Sequence, residues 1–266
     1  MTWRILEQTG RAGSCLLFFS AVLTIASLLL FSTAETMKAA TPEEKSDEMV
    51  ALELAEFLRS ARTVISQWQP VINDPARGDK GLTPERTVEE AKAIYQKRTG
   101  QDPEATDPQT KEGKLLRAQM DAIRDVMSEN QNSINGQGTG FKGFIPALFS
   151  RMVNEKFEAR AGDIAKMKVT APEHLVRFRK ARPDAWEKLV LTEKFDTGTW
   201  KKGEPFSEVT TVDGRQAFRL LVPDYYVSSC LTCHGGPKGE MDITGYPKEG
   251  GHEGDLGGAI SITLYQ

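Results

Sequence analysis

Cysteine and histidine are both scarce, with three of each in 266 residues. So few cysteines exclude a disulfide-rich scaffold, and a chain of this length buries enough surface to fold without covalent staples. So few histidines make an elaborate His-based active site hard to assemble, and neither a Ser-His-Asp nor a zinc-hydrolase signature is present. An excess of one charge is also missing. The formal net charge is −3, which leaves no basic footprint and argues against nucleic-acid binding as a main role. Hydrophobic residues at 39% and aromatics at 8% suit a packed core rather than general disorder.

The one long apolar run lies near the start. Cys15 to Phe31 is 17 residues without a charge, preceded by Arg4 and Arg11 and followed by Ser32-Thr33-Ala34. Residues 1–34 therefore read as a secretory signal peptide. An uncleaved membrane anchor is the alternative, because 17 residues is the lower limit for crossing a bilayer. The positive flank stays inside in either case, so residues 35–266 are expected outside the cytoplasm: periplasmic, secreted, or anchored facing the periplasm. Cys15 opens the apolar run instead of closing it, the wrong place for a lipoprotein cysteine.

Beyond the leader, helical signals come first. Thr41-Pro42-Glu43-Glu44 reads as a helix start with a capping box. The stripe Met49, Leu52, Phe57, Ala61, Val64, Ile65 and Trp68 then predicts a first helix over residues 43–69, ended by Pro70. Thr83-Pro84-Glu85 starts a second helix that Gly100 stops. Leu116, Met120, Ile123 and Met127 mark a third, Pro146 opens a fourth that Gly162 ends, and Pro183 to Glu187 begins a short one. Past residue 195 the period changes. Phe206 to Val212 and Arg215 to Val222 flank Asp213-Gly214, a strong hairpin signal, and Leu256 to Tyr265 reads as a further strand. The expected fold is one α+β domain, residues 35–266, with N-terminal helices on a C-terminal antiparallel sheet.

Between the hairpin and the last strand, residues 228–255 are rich in Gly, Pro and Lys and contain Cys230-Leu231-Thr232-Cys233-His234. C-x-x-C-H is the attachment pattern of c-type haem. Two thiols this close can form thioethers with the two vinyl groups of one porphyrin, and the adjacent histidine is carried under the iron as proximal ligand. At this chain's own residue frequencies the pattern arises by chance at roughly 4 × 10⁻⁴ per sequence. A redox dithiol is an alternative, but no βαβ pattern precedes the pair. A zinc site would have no second cysteine pair and only His174 and His252 to complete its four ligands, and these are far apart in sequence. A disulfide across so tight a loop would be strained. Cys230, Cys233 and His234 are thus the cofactor-binding residues, with His234 the iron ligand of one covalent haem c.

Several segments carry a resemblance. Gly140-Phe141-Lys142-Gly143-Phe144-Ile145-Pro146-Ala147, Arg179 to Glu187, and the stretch from Phe218 through the C-x-x-C-H motif to Ser261 are similar to the DUF3365, or Tll0287-like, haem family, over about residues 46–265. The resemblance implies a PAS-like sensor domain with covalent haem c, often joined to kinase or chemoreceptor output. Here the chain stops at Gln266 after the last strand, so a separate redox partner or signalling protein is expected to read the domain. Some members of the family take a distal ligand from a cysteine in the first helix; residues 43–69 contain none.

The sixth iron position therefore stays open among Met120, Met127, Met152, Met241, His174, His252 and no protein ligand. Core packing is the plainer reading of the methionine stripe. Lys142, Arg151, Arg179, Arg182 and Arg215 are candidate propionate partners, and Tyr225-Tyr226 reads as packing on the haem or the core. The leading reading is an exported monohaem c-type cytochrome that senses redox state or a gas. A plain periplasmic electron carrier is second. A peroxidase-like haem enzyme is third, since its acid–base group would have to be His252 or His174.

Overall fold

A computed structural model describes residues 45–266. The apolar leader, Cys15 and the helix start expected at Thr41 lie outside the described residues. None of the described helices is long and apolar enough to cross a membrane.

Helix α1 spans Asp47–Ile72 and differs from expectation at both ends. Ser46 is its cap, accepting the Met49 N–H at 3.3 Å, so the helix begins later than residue 43. It also runs through Pro70, because a proline near a helix end removes one hydrogen bond and the Asn73 N–H closes the last turn onto the Gln69 and Val71 carbonyls. Helix α2, Pro84–Thr99, has the expected Thr83 cap and stops at Gly100, whose φ of +75° suits a residue without Cβ. Helices α3, Lys111–Asn135, and α4, Pro146–Ala161, follow as the stripe and Pro146 predict.

Strand β1, Ala165–Thr170, was not expected. After it come two short 3₁₀ turns and α5, Ala185–Val190, capped reciprocally by Asp184 and Glu187. Strands β2, Phe206–Val212, and β3, Arg215–Tyr225, form the hairpin. Its turn has φ of +53° at Asp213 and +79° at Gly214, the two positive values that a tight primed turn demands. Strand β3 extends past Val222 through Pro223 to Tyr225. Strand β4 is Leu256–Tyr265.

The sheet order is β1-β4-β3-β2, antiparallel throughout. Its two faces are covered differently. Leu220, Val222, Ile260, Ile262 and Leu264 join Leu54, Phe57, Leu116, Phe149 and Phe157 of the helices in the main core. Leu221 and Ala259 point the other way, against Val190, Leu191 and Phe195. β4 is buried on both faces, yet its sequence alternates: Ile260, Ile262 and Leu264 face the helices, and Ser261 and Thr263 lie on the opposite face. Helices packed on a four-stranded antiparallel sheet make the α+β, PAS-like arrangement that the sequence implies.

Candidate haem-attachment site

The C-x-x-C-H segment lies in the connection between β3 and β4, the two central strands. The mouth of this loop is tied by backbone bonds: the Tyr226 N–H donates to the Asp255 carbonyl at 2.9 Å, and the Gly254 N–H to the Tyr226 carbonyl at 2.8 Å. Inside it, a 3₁₀ turn at Ser228–Cys230 runs into the single-turn helix α6, Leu231–His234. Cys230 and Leu231 both have right-handed helical dihedrals. Residues three and four apart share one side of a helical turn, so Cys230, Cys233 and His234 project from the same side. Neither cysteine is in a disulfide.

The His234 ring is fixed on two fronts. Its Nδ1 lies 2.9 Å from Glu249 Oε2. Its face stacks on Tyr226, with ring centroids 5.0 Å apart and planes 19° from parallel. A carboxylate can only accept, so Nδ1 carries the proton and the Nε2 lone pair is left for a metal. Glu249 is in turn gripped by Arg177, from Nε to Oε1 at 2.7 Å and from Nη2 to Oε2 at 2.9 Å. The same guanidinium donates to Asp242 Oδ2 at 2.6 Å and to the Cys233 carbonyl at 2.8 Å. Tyr226 is held closely itself: a Cβ on Gly257 would fall 2.3 Å from its ring, and one on Gly251 2.7 Å away.

Electrostatics follow from this packing. Burial opposes ionisation of Glu249, but hydrogen bonds from Arg177 and His234 outweigh it and hold the carboxyl below its usual range. Asp242 goes further in the same direction: burial is overcome by bonds from Thr244 and Arg177 and from backbone N–H groups. Burial, reinforced by Asp242, pushes the Cys233 thiol up. Among the described residues no group of three or more His, Cys, Asp or Glu side chains is placed to hold a metal ion.

The residues present fit a covalently held haem. Two free thiols and one imidazole share a side of one turn. Five of the eight exposed large apolar side chains among the described residues, Phe178, Val227, Met241, Ile243 and Tyr246, come from the segments around this turn, and a macrocycle needs apolar cover. The Tyr226 hydroxyl and Arg151 Nε are buried without a partner, and the Arg151 guanidinium lies 4.2 Å from the Phe178 ring. Of the other propionate candidates, Lys142 is taken by the Gly136 and Thr139 carbonyls and Arg215 by the Asp163 carbonyl and the Tyr265 ring. Arg179 and Arg182 are exposed.

The sixth-ligand candidates are scattered. Met120 and Met127 sit in the main core, 2% and 0% exposed. Met152 packs beside that core, with its sulfur 3.9 Å from Asn130 Nδ2. Met241 is exposed and pairs with Pro247 in an isolated bridge. His174 is exposed on a 3₁₀ turn, and His252 is exposed beside Asp255. On α1, Asp224 holds Arg62 more firmly protonated, with a smaller contribution from Cys230. Two surface clefts, of about 220 and 430 Å³, are lined by residues outside the attachment loop.

Sequence reasoning missed Arg177, Asp242 and Glu249. Each is an ordinary charged residue in an irregular segment, and only the fold of the loop brings them to His234.

A protein-family model described as Tll0287-like matches residues 100–264. This span runs from the end of α2 into β4 and includes the C-x-x-C-H turn; it begins further along the chain than the resemblance read from residue 46. No curated protein and no solved structure matches the chain.

Proposed function

This chain belongs to the Tll0287-like family, and we propose on that footing that it is an exported monohaem c-type cytochrome with a sensing role. The observation that carries the proposal is the shared side of Cys230, Cys233 and His234 on one anchored turn. Cys230 and Cys233 would each add a thiol across a vinyl group, and His234 would present Nε2 to the iron. Bound there, haem c would supply one-electron redox chemistry and an iron able to take a second ligand. Tyr226, Glu249 and Arg177 keep the imidazole in place, and Arg151, Arg179 and Arg182 are the propionate candidates that other contacts leave available.

Sensing is favoured over plain electron carriage by the placement of the sixth-ligand candidates. Met120 and Met127 are committed to the core and Met152 packs beside it, which leaves only the exposed Met241, His174 and His252 as protein candidates; a position held by such an exchangeable ligand admits gases or changes ligation with redox state. The chain would act from the periplasmic side, with a separate redox or signalling partner reading the attachment loop and the sheet.

The test is co-expression with a cytochrome c maturation system. Haem that survives acid–acetone extraction and gives a pyridine haemochrome spectrum is the expected result; its absence would overturn the proposal. Spectra of the reduced protein with and without CO then separate the roles. CO binding supports the open site, whereas an unchanged low-spin spectrum would assign the protein to electron transfer.

A further inference from the structure

We infer that Glu249 is a positioning residue for the iron ligand, setting the tautomer, orientation and donor strength of His234. This deepens the proposed function and rests on it. The argument is geometric. Imidazole can present either nitrogen to a metal, and the hydrogen bond made by the other nitrogen decides which. In this chain that bond goes to a carboxylate at 2.9 Å, not to a neutral carbonyl. A negative acceptor on Nδ1–H draws the proton away and increases electron donation through Nε2, which stabilises the more highly charged metal state.

The carboxylate cannot drift from this role. Arg177 closes a two-pronged contact on it and simultaneously holds the carbonyl of Cys233, the residue just before the ligand. Glu249 and the attachment turn are thus referenced to a single guanidinium. Two backbone bonds restrain the loop segment that carries Glu249: the Gly250 N–H donates to the Gly235 carbonyl at 3.1 Å, and the Gly251 N–H to the His234 carbonyl at 2.8 Å. Tyr226 blocks rotation of the imidazole from its face.

The experiment measures the midpoint potential of the haem-loaded protein for wild type, Glu249→Gln and Glu249→Asp, with haem attachment checked by pyridine haemochrome. Glu240→Gln is the control: it removes an exposed carboxylate that pairs with Lys248 in the same loop. Glu249→Gln, with no charge to polarise Nδ1–H, is expected to shift the potential upward. Glu249→Asp, which keeps the charge at shorter reach, should give a smaller upward shift, and Glu240→Gln the smallest. The aspartate variant keeps the test decisive if the amide variant does not accumulate. Full haem attachment with wild-type potentials in the Glu249 variants would overturn the inference. So would loss of attached haem in both with the fold intact by circular dichroism, because Glu249 would then build the turn and not tune the ligand. Wild-type protein without covalent haem would instead overturn the underlying reading of the site.

Discussion

Arg177 meets Glu249 in a two-pronged contact, 2.7 and 2.9 Å long, across 72 positions of sequence. With its third bond to Asp242, whose side chain is 0% exposed, one guanidinium neutralises two carboxylates in the attachment loop. Removing it would leave Asp242 charged and buried. Arg177→Gln should therefore destabilise the protein by about 2–3 kcal/mol, toward the low end for breaking a buried pair because the arginine itself is partly solvated. Urea unfolding measures this, and covalent haem yield should fall with it.

Replacing both Cys230 and Cys233 by alanine should abolish haem that withstands denaturation, as judged by haem staining on a denaturing gel. Cys15→Ala should leave the stain unchanged. Equal loss from the Cys15 variant would mean that the leader takes part in the mature chemistry.

The Tyr226 ring occupies space that only glycine permits at residue 257. A methyl group there would start 2.3 Å from the ring, and overpacking of this kind costs about 1–3 kcal/mol. Gly257→Ala should lower the melting temperature and move Tyr226 off His234. Adding Tyr226→Leu should recover part of the stability but not the stacked geometry.

A second ionisable cluster gives the fold a pH dependence of its own. Lys45 Nζ bridges Glu53 Oε1 at 2.5 Å and Glu112 Oε1 at 2.8 Å. Burial pushes the Glu53 carboxyl up to about 7, with Glu112 adding to the rise. Glu112 is held below its usual value because, although burial opposes ionisation, the bond from Lys45 prevails. The unfolded chain releases the Glu53 proton near 4.5 while the folded chain keeps it to about 7, so stability falls as pH rises through that window. The contribution of Glu112 has the opposite sign and is lost only at more acidic pH, below the window. Melting temperatures between pH 5 and about 7.5 should therefore decline in wild type and vary less in Glu53→Gln.

Much of the fold is legible in the sequence because single residues carry local instructions. Asp213-Gly214 demands the hairpin, Thr83 and Gly100 bracket α2, and Pro146 opens α4. Strand β1 escaped because it is a short edge strand, six residues long, whose Lys166 and Lys168, on the face opposite Ala165, Met167 and Val169, make the segment look polar overall; charges of that kind protect an edge from unwanted pairing. The start of α1 was misplaced because Ser46 and Thr41 offer the same capping chemistry a few residues apart. At the site, C-x-x-C-H announces itself through covalent spacing. The Glu249–Arg177 support does not, since nothing in a Gly-rich loop says which carboxylate will arrive beside the imidazole.

The place of β4 between β1 and β3 governs the order in which this domain can assemble. Until β4 docks, β1 has no partner and the two ends of the attachment loop are not held together, so both thiols sit on an open segment. Pairing across such sequence distance is the slow class of folding event. That delay would give the proposed haem attachment an interval in which to proceed on an extended chain, and late amide protection in β4 during refolding would be its signature.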